Sequence, residues 1–133
     1  MQVKEGMSEV VLTVGTGHTL RDAAGMMVEK QTGAAIVIDD ELPTPRIITE
    51  RDILHAVARG QSPDEERVGD HMSDSVIAAA PDWSLERAAA EMSRRKIRHL
   101  VVYDGPEMVG VLSMRDIVRV WTTEGATSGM SPD

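Results

Sequence analysis

The chain has 133 residues, the size of one ordinary domain or of two half-sized units that must pack together. Its 14 Lys and Arg stand against 22 Asp and Glu, and the resulting formal charge of −8 opposes a surface built to hold a phosphate backbone, so nucleic acid is not an expected partner. There is no cysteine, which excludes disulfides, thiolate metal sites and a cysteine nucleophile.

The start, Met-Gln-Val-Lys-Glu, lacks the apolar run of a signal peptide, and no stretch approaches the roughly 18 to 20 apolar residues a spanning helix needs. A cytoplasmic protein with no membrane partner is the expectation. Only Trp83, Tyr103 and Trp121 are aromatic, so the core must be aliphatic.

Compared with itself, the chain is a repeat. At an offset of 65, Val3, Met7, Ser8 and Val11 meet Val68, Met72, Ser73 and Val76; Leu20, Ala23, Ala24 and Met27 meet Leu85, Ala88, Ala89 and Met92; Val37 and Asp39 meet Val102 and Asp104. Beyond Asp39 the offset becomes 64, and Arg51, Asp52 and Ile53 meet Arg115, Asp116 and Ile117. That single-residue difference falls in a turn, where a length change does not flip the faces of a strand.

In chain order, each repeat opens with a short strand around Val11 and Leu12, or Val76 and Ile77. Thr19 and Ser84 then read as N-caps of a first helix. Its apolar stripe is Leu20, Ala23, Ala24, Met27 and Val28 in one repeat, and Leu85, Ala88, Ala89 and Met92 in the other. The runs 34–38 and 100–103 predict a strand, the following Asp-, Gly- and Pro-bearing segments a turn, and Ile47–Ile48 and 109–112 a second strand. Helical spacing returns at 49–58, with Ile53, Leu54 and Val57 apolar, and at 113–121, with Ile117, Val118 and Trp121 apolar. The domain reading is therefore a first repeat at 1–58, a linker at 59–67, a second repeat at 68–121 and a disordered tail at 122–133. Its fold class is α/β of the α+β kind: two tandem β-α-β-β-α repeats packed by pseudo-twofold symmetry around one core.

Chemistry concentrates at Thr49-Glu50-Arg51-Asp52 and Ser113-Met114-Arg115-Asp116, where each strand runs out and a helix begins. A helix start offers unpaired N–H groups and a positive dipole end, and an Arg beside an Asp adds a cation for phosphate and an acceptor for ribose hydroxyls. The same spacing is also a plain capping box, and two copies in register leave both readings open. His18, His55, His71 and His99 have no metal-ligand spacing with nearby carboxylates, so no metal is expected. No Ser-His-acid or paired-carboxylate arrangement points to catalysis. Met7, Met26, Met27, Met72 and Met92 read as core, and Trp121 as packing or as part of a dimer interface.

Four segments together resemble the CBS domain family: Val-x-(Glu/Asp)-x-Met-Ser at Val3 and Val68, Pro81-Asp82-Trp83-Ser84-Leu85, Ile97 to Asp104, and Gly110 to Ile117. The resemblance covers nearly the whole chain. It implies a tandem CBS pair, or Bateman module, that dimerises, needs no cofactor and binds an adenosine-containing ligand such as AMP, ADP, ATP or S-adenosylmethionine between its repeats. It implies Asp116 and Asp52 as ribose-binding acids, Ser113 and Thr49 as hydroxyls near the phosphates, and Arg115 and Arg51 as added charge. Arg98 and His99, just before the central strand, would help hold phosphate or adenine; Gly33 and Ala34 stand in their places in the first repeat. The partner that such a regulatory module would signal to is unknown. The alternative is a scaffold that kept the fold but lost the ligand, and three departures favour it: Arg46 in the place of Gly110, Ile36 and Val101 in place of the usual strand proline, and Gly17-His18 in place of Pro-Asp.

Overall fold

The computed structural model describes residues 1–73 and 76–125. The chain divides into two compact units: an N/C unit formed by Met1–Val10 and the chain from Ile77 onward, and a central unit, Val11–Val76. The compact units therefore do not coincide with the sequence repeats, because each repeat's opening segment packs on the sheet of the other.

In the central unit, β1 (Thr13–Val14) leads through α2 (Leu20–Lys30) to β2 (Ala34–Val37), then to β3 (Arg46–Thr49) and α3 (Glu50–Ala58). The sheet order is β1-β2-β3, with β1 parallel and β3 antiparallel to the central β2. The N/C unit begins with a one-turn helix α1 (Val3–Gly6) and repeats the pattern with β4 (Ala78–Ala79), α4 (Leu85–Arg95), β5 (His99–Asp104), β6 (Glu107–Ser113) and α5 (Met114–Val120), in sheet order β4-β5-β6. The β-α-β-β-α reading is thus observed twice. The first strands lie two residues later than the sequence suggested, because pairing begins where Ile36 donates to the Leu12 carbonyl (2.8 Å) and Val101 to that of Ile77 (3.0 Å). A π-type turn at Trp121–Gly125 continues α5 into the expected tail, whose residues 122–125 it includes, and 126–133 lie outside the described residues.

Side chains alternate across each strand, so one sheet face meets the helices. In the central unit that core is Leu20, Ala23, Met27, Ala35, Val37, Ile48 and Ala56, closed by Val68 from a 3-10 turn at Val68–Asp70. In the N/C unit it is Leu85, Ala88, Met92, Leu100, Val102, Leu112, Ile117 and Val120, closed by Val3. Met27 and Met92 are buried, and Met7, Met26 and Met72 pack against the cores, as their spacing predicted. Residues 59–67 are not a loose tether. Leu20 donates to the Glu66 carbonyl (3.0 Å), Arg21 donates its N–H to Pro63 (3.0 Å) and pairs through its guanidinium with Asp64, and His71 Nε2 meets Glu66 at 2.7 Å.

Other apolar residues depart from their predicted burial. Val28, Leu54, Val57, Val118 and Trp121 are all exposed, Val28 and Leu54 at 78% and 64%. On α3 and α5 the core takes Ile53 and Ala56, and Ile117 and Val120; the residue after each is rotated about 100° away, onto a second stripe.

Both long helices end alike. Thr32 donates to Met27 and Gln31 to Val28 (3.0 and 3.2 Å), while Ile97 donates to Met92 and Lys96 to Ser93 (3.0 and 3.3 Å). This is the Schellman pattern, with Gln31 and Lys96 left-handed at φ 56° and 57°. A side chain is strained there, so Lys96→Gly is expected to raise stability by about 1 kcal/mol, read as the urea midpoint at unchanged slope.

Three carboxylates, Asp22 exposed and Asp39 and Glu91 partly buried, are held below their ordinary range. Asp22 accepts the backbone N–H of Thr19, Asp39 accepts first from the Thr16 hydroxyl, and Glu91 accepts first from Arg95 and then from Arg94. A depressed carboxylate contributes stability that is present above its unfolded pKa and lost as pH falls through the folded one. Stability is therefore expected to fall below about pH 4, and an acid titration followed by circular dichroism should be shallower in Glu91→Gln.

Candidate functional site

The eight site residues read from the sequence fall into two sets, one per unit. In the N/C unit His99 stands opposite Ser113 in the antiparallel register, so their side chains neighbour each other on the sheet face away from the helix core. Met114 donates its N–H to the Arg98 carbonyl (2.8 Å), which ties the start of the central strand to the start of α5. Arg115 and Asp116 follow on that first turn, Arg115 exposed and Asp116 half-buried. In the central unit Ala34 stands opposite Thr49, Glu50 donates to the Gly33 carbonyl (2.9 Å), and Arg51 and Asp52 follow. The register thus brings Arg98, His99, Ser113, Arg115 and Asp116 to one strand-to-helix junction, and Thr49, Arg51 and Asp52 to the other.

Both junctions are formed capping boxes. Asp116 Oδ2 accepts from the Ser113 N–H (2.9 Å) while Ser113 Oγ accepts from the Asp116 N–H (3.0 Å). Asp52 Oδ2 accepts from both the N–H and the hydroxyl of Thr49 (2.8 and 3.1 Å), and Thr49 Oγ1 accepts from the Asp52 N–H (3.3 Å). The plain capping role is therefore real in both repeats, and it uses one carboxylate oxygen of each Asp. It also holds each carboxylate in one orientation beside a Ser or Thr hydroxyl. Thr19 forms a third capping box with Asp22 at α2, whose N–H it accepts at 3.0 Å, and Ser84 caps α4 by accepting from the Arg87 N–H at 3.0 Å without a reciprocal bond.

Two participants escaped the sequence reading. Arg119 reaches the second oxygen of Asp116 (Nη2 to Oδ1, 3.4 Å) and the Gly6 carbonyl (3.2 Å), linking the α5 cap to α1; its spacing of three from Asp116 was the available signal. Glu50 lays its carboxylate against the Gly33 main chain, a contact that shows only once the strand register is known. The Leu12 and Ile77 carbonyls, just before the first strand of each unit, accept bonds from Ile36 and Val101 of the central strands. Among the described residues, no group of three or more His, Asp or Glu could hold a metal.

The CBS domain family model matches residues 2–59 and 68–122, both repeats in turn. The chain belongs to the CBS domain family. Among curated CBS proteins it is 30% identical over 131 residues to CBS domain-containing protein YhcV of Bacillus subtilis, covering 97% of this chain and 92% of that one. It spans about half the length of several other curated relatives. A solved CBS-domain protein of Burkholderia ambifaria, described as a signal-transduction protein, superposes with a TM-score of 0.84 at 27% identity, over 98% of this chain and 97% of that one. The CBS domain protein PAE2072 of Pyrobaculum aerophilum, solved in complex with AMP, matches at 28% identity and a TM-score of 0.76, over 87% and 89% of the two chains. The CBS assignment thus agrees with the two three-stranded sheets and with the repeats. No helix among the described residues is long and apolar enough to cross a membrane.

Proposed function

We propose that this CBS pair is a regulatory module that binds an adenosine-containing ligand (AMP, ADP, ATP or S-adenosylmethionine) and passes its occupancy to a partner protein in the cytoplasm, without catalysis of its own. Asp116 accepts from the ribose hydroxyls, Ser113 and Arg115 face the phosphates, and Arg98 and His99 complete the set; Asp52, Thr49 and Arg51 form its counterpart in the central unit. The observation that carries this reading is the likeness to PAE2072, whose complex holds AMP. The ligand acts by favouring one of two arrangements in proportion to its differential affinity, and a partner reads that arrangement. Thermal unfolding with each candidate ligand tests the reading. A ligand at 100 times its Kd stabilises the native state by about 2.7 kcal/mol, whereas no shift with any of them returns the protein to the scaffold reading. One observation favours that second reading: both Asp carboxylates already serve as helix caps.

The same proposal includes a homodimer. Leu54 and Val57 on α3, and Val118 with Trp121 on and just beyond α5, are matched apolar pairs exposed by 43–64%. Apolar pairs repeated at equivalent positions suit a symmetric, self-complementary contact. Light scattering at tens of micromolar is expected to give twice the chain mass for the parent and one chain mass for Leu54→Glu combined with Val118→Glu; a monomeric parent would sink the dimer.

A further inference from the structure

Equivalent helices in the two repeats carry inverted charges on their outward faces. On α2, Asp22, Gly25 and Glu29 lie at i, i+3 and i+7, on the side opposite the buried Leu20, Ala23 and Met27, and all three are exposed. At the offset of 65 their counterparts on α4 are Arg87, Ala90 and Arg94, exposed on the side opposite Leu85, Ala88 and Met92. Arg21 and Glu86, beside these stripes, are inverted as well, although Arg21 is paired with Asp64. Lys30 and Arg95, basic in both repeats, sit about 100° round from Glu29 and Arg94 and so lie off the stripes. Local contacts orient these side chains without removing the contrast. Asp22 Oδ2 accepts the Thr19 N–H (3.1 Å), Arg87 lies over the Trp83 ring at 3.8 Å from its centroid, and Arg94 shares the one Glu91 carboxylate with Arg95 (2.6 Å each) while staying 65% exposed. Gly25 has nothing within 4 Å of where a Cβ would stand, and Ala90 projects only a methyl group, so both stripes are flat at the centre.

The exposed apolar pairs Leu54–Val57 and Val118–Trp121 belong to the same helix layers, since α2 and α3 cover one core and α4 and α5 the other. Apolar pairs that are alike in both repeats fit a second copy whichever faces meet. The charges do not. With α2 against α2 of another copy, Asp22 and Glu29 meet their own like; with α2 against α4, two carboxylates about 10.5 Å apart along the helix meet two guanidinium groups at the same spacing. We propose that two copies of this chain dock crosswise, the α2–α3 face of each on the α4–α5 face of the other. This rests on the homodimer reading above and goes beyond it by fixing which faces meet. A twofold dimer makes the contact twice, and like-charge repulsion excludes the register in which each face meets its own copy.

The test uses the full chain as Glu29→Arg, and as Glu29→Arg combined with Arg94→Glu or with Arg87→Glu, because α2 can run along α4 in either direction. Sedimentation equilibrium is expected to show a dimer Kd raised at least about tenfold by Glu29→Arg, which sets like charges at both contacts, and restored to within about threefold of the parent by one of the two double variants. The cysteine-free sequence allows a second readout. Under mild oxidation an equal mixture of Gly25→Cys and Ala90→Cys is expected to give a disulfide-linked dimer containing one chain of each, identified by mass, while neither variant links to itself. A dimeric parent whose Glu29→Arg variant associates equally well, whose double variants both stay as weak as Glu29→Arg, or whose Gly25→Cys variant links to itself overturns this inference alone. A parent that is monomeric at tens of micromolar overturns the homodimer reading with it.

Discussion

Gly110→Ala is expected to destabilise the protein by about 3 kcal/mol, which for a chain of this length lowers the melting temperature by roughly 10 °C. The reason is a backbone approach that leaves no room for a side chain. Ser8 and Val111 exchange both backbone hydrogen bonds (2.9 and 3.0 Å), which brings the Ser8 carbonyl to 2.6 Å and the Met7 sulfur to 3.1 Å from where a Cβ at residue 110 would stand. A carbonyl oxygen cannot swing aside as a flexible side chain can, so the segment at Met7–Ser8 must withdraw and weaken the seat of Val3 in the core. Differential scanning calorimetry of the variant reads the effect directly. A loss below about 0.5 kcal/mol would mean that the opening segment is only loosely held on β6. Arg46 occupies the aligned place on β3, so this demand belongs to the N/C unit.

Asp116→Asn is expected to separate the capping role from the binding role. An asparagine oxygen still accepts from the Ser113 N–H, so unliganded stability should change by less than about 1 kcal/mol. Ligand binding loses a charged acceptor, and a hydrogen bond to a charged group is worth about 1.5 to 3 kcal/mol, which weakens AMP by roughly ten- to a hundredfold. Thermal shift at fixed AMP concentration should then lose most of the stabilisation seen in the parent. Should AMP stabilise both proteins equally, Asp116 is a cap alone, and the ligand site lies elsewhere. Arg119 gives a useful control, since it touches Asp116 Oδ1 and the Gly6 carbonyl from the exposed side of α5. Arg119→Gln tests whether that link matters to binding without disturbing the capping box.

The repeat, its β-α-β-β-α order, the four Ser and Thr caps and the buried stripes of the long helices could all be read from the sequence. Each depends on residues close in the chain, through 3.6-residue spacing, local turn chemistry and self-similarity at a fixed offset. Both candidate junctions could be read for the same reason, because a capping box is a four-residue event. Sequence spacing did not resolve which of two adjacent apolar stripes on α3 and α5 meets the core: Ile53 and Leu54 are neighbours in the chain, yet one packs inward and the other is exposed. Two adjacent apolar residues fit two helix faces equally well until a sheet covers one of them.

What the sequence by itself determined is the family, the duplicated fold and the eight residues that the two strand-to-helix junctions bring together. Tertiary structure alone decided that each repeat's opening segment packs on the other repeat's sheet, so that Val3 closes one core and Val68 the other. It also decided that Glu50 settles on Gly33, that Arg119 joins Asp116 to Gly6, and that residue 110 must be glycine while residue 46 need not be. These are contacts between residues from 3 to more than 110 apart in the chain. Their energies depend on which backbones approach within a few ångströms, and local propensity carries no information about that distance.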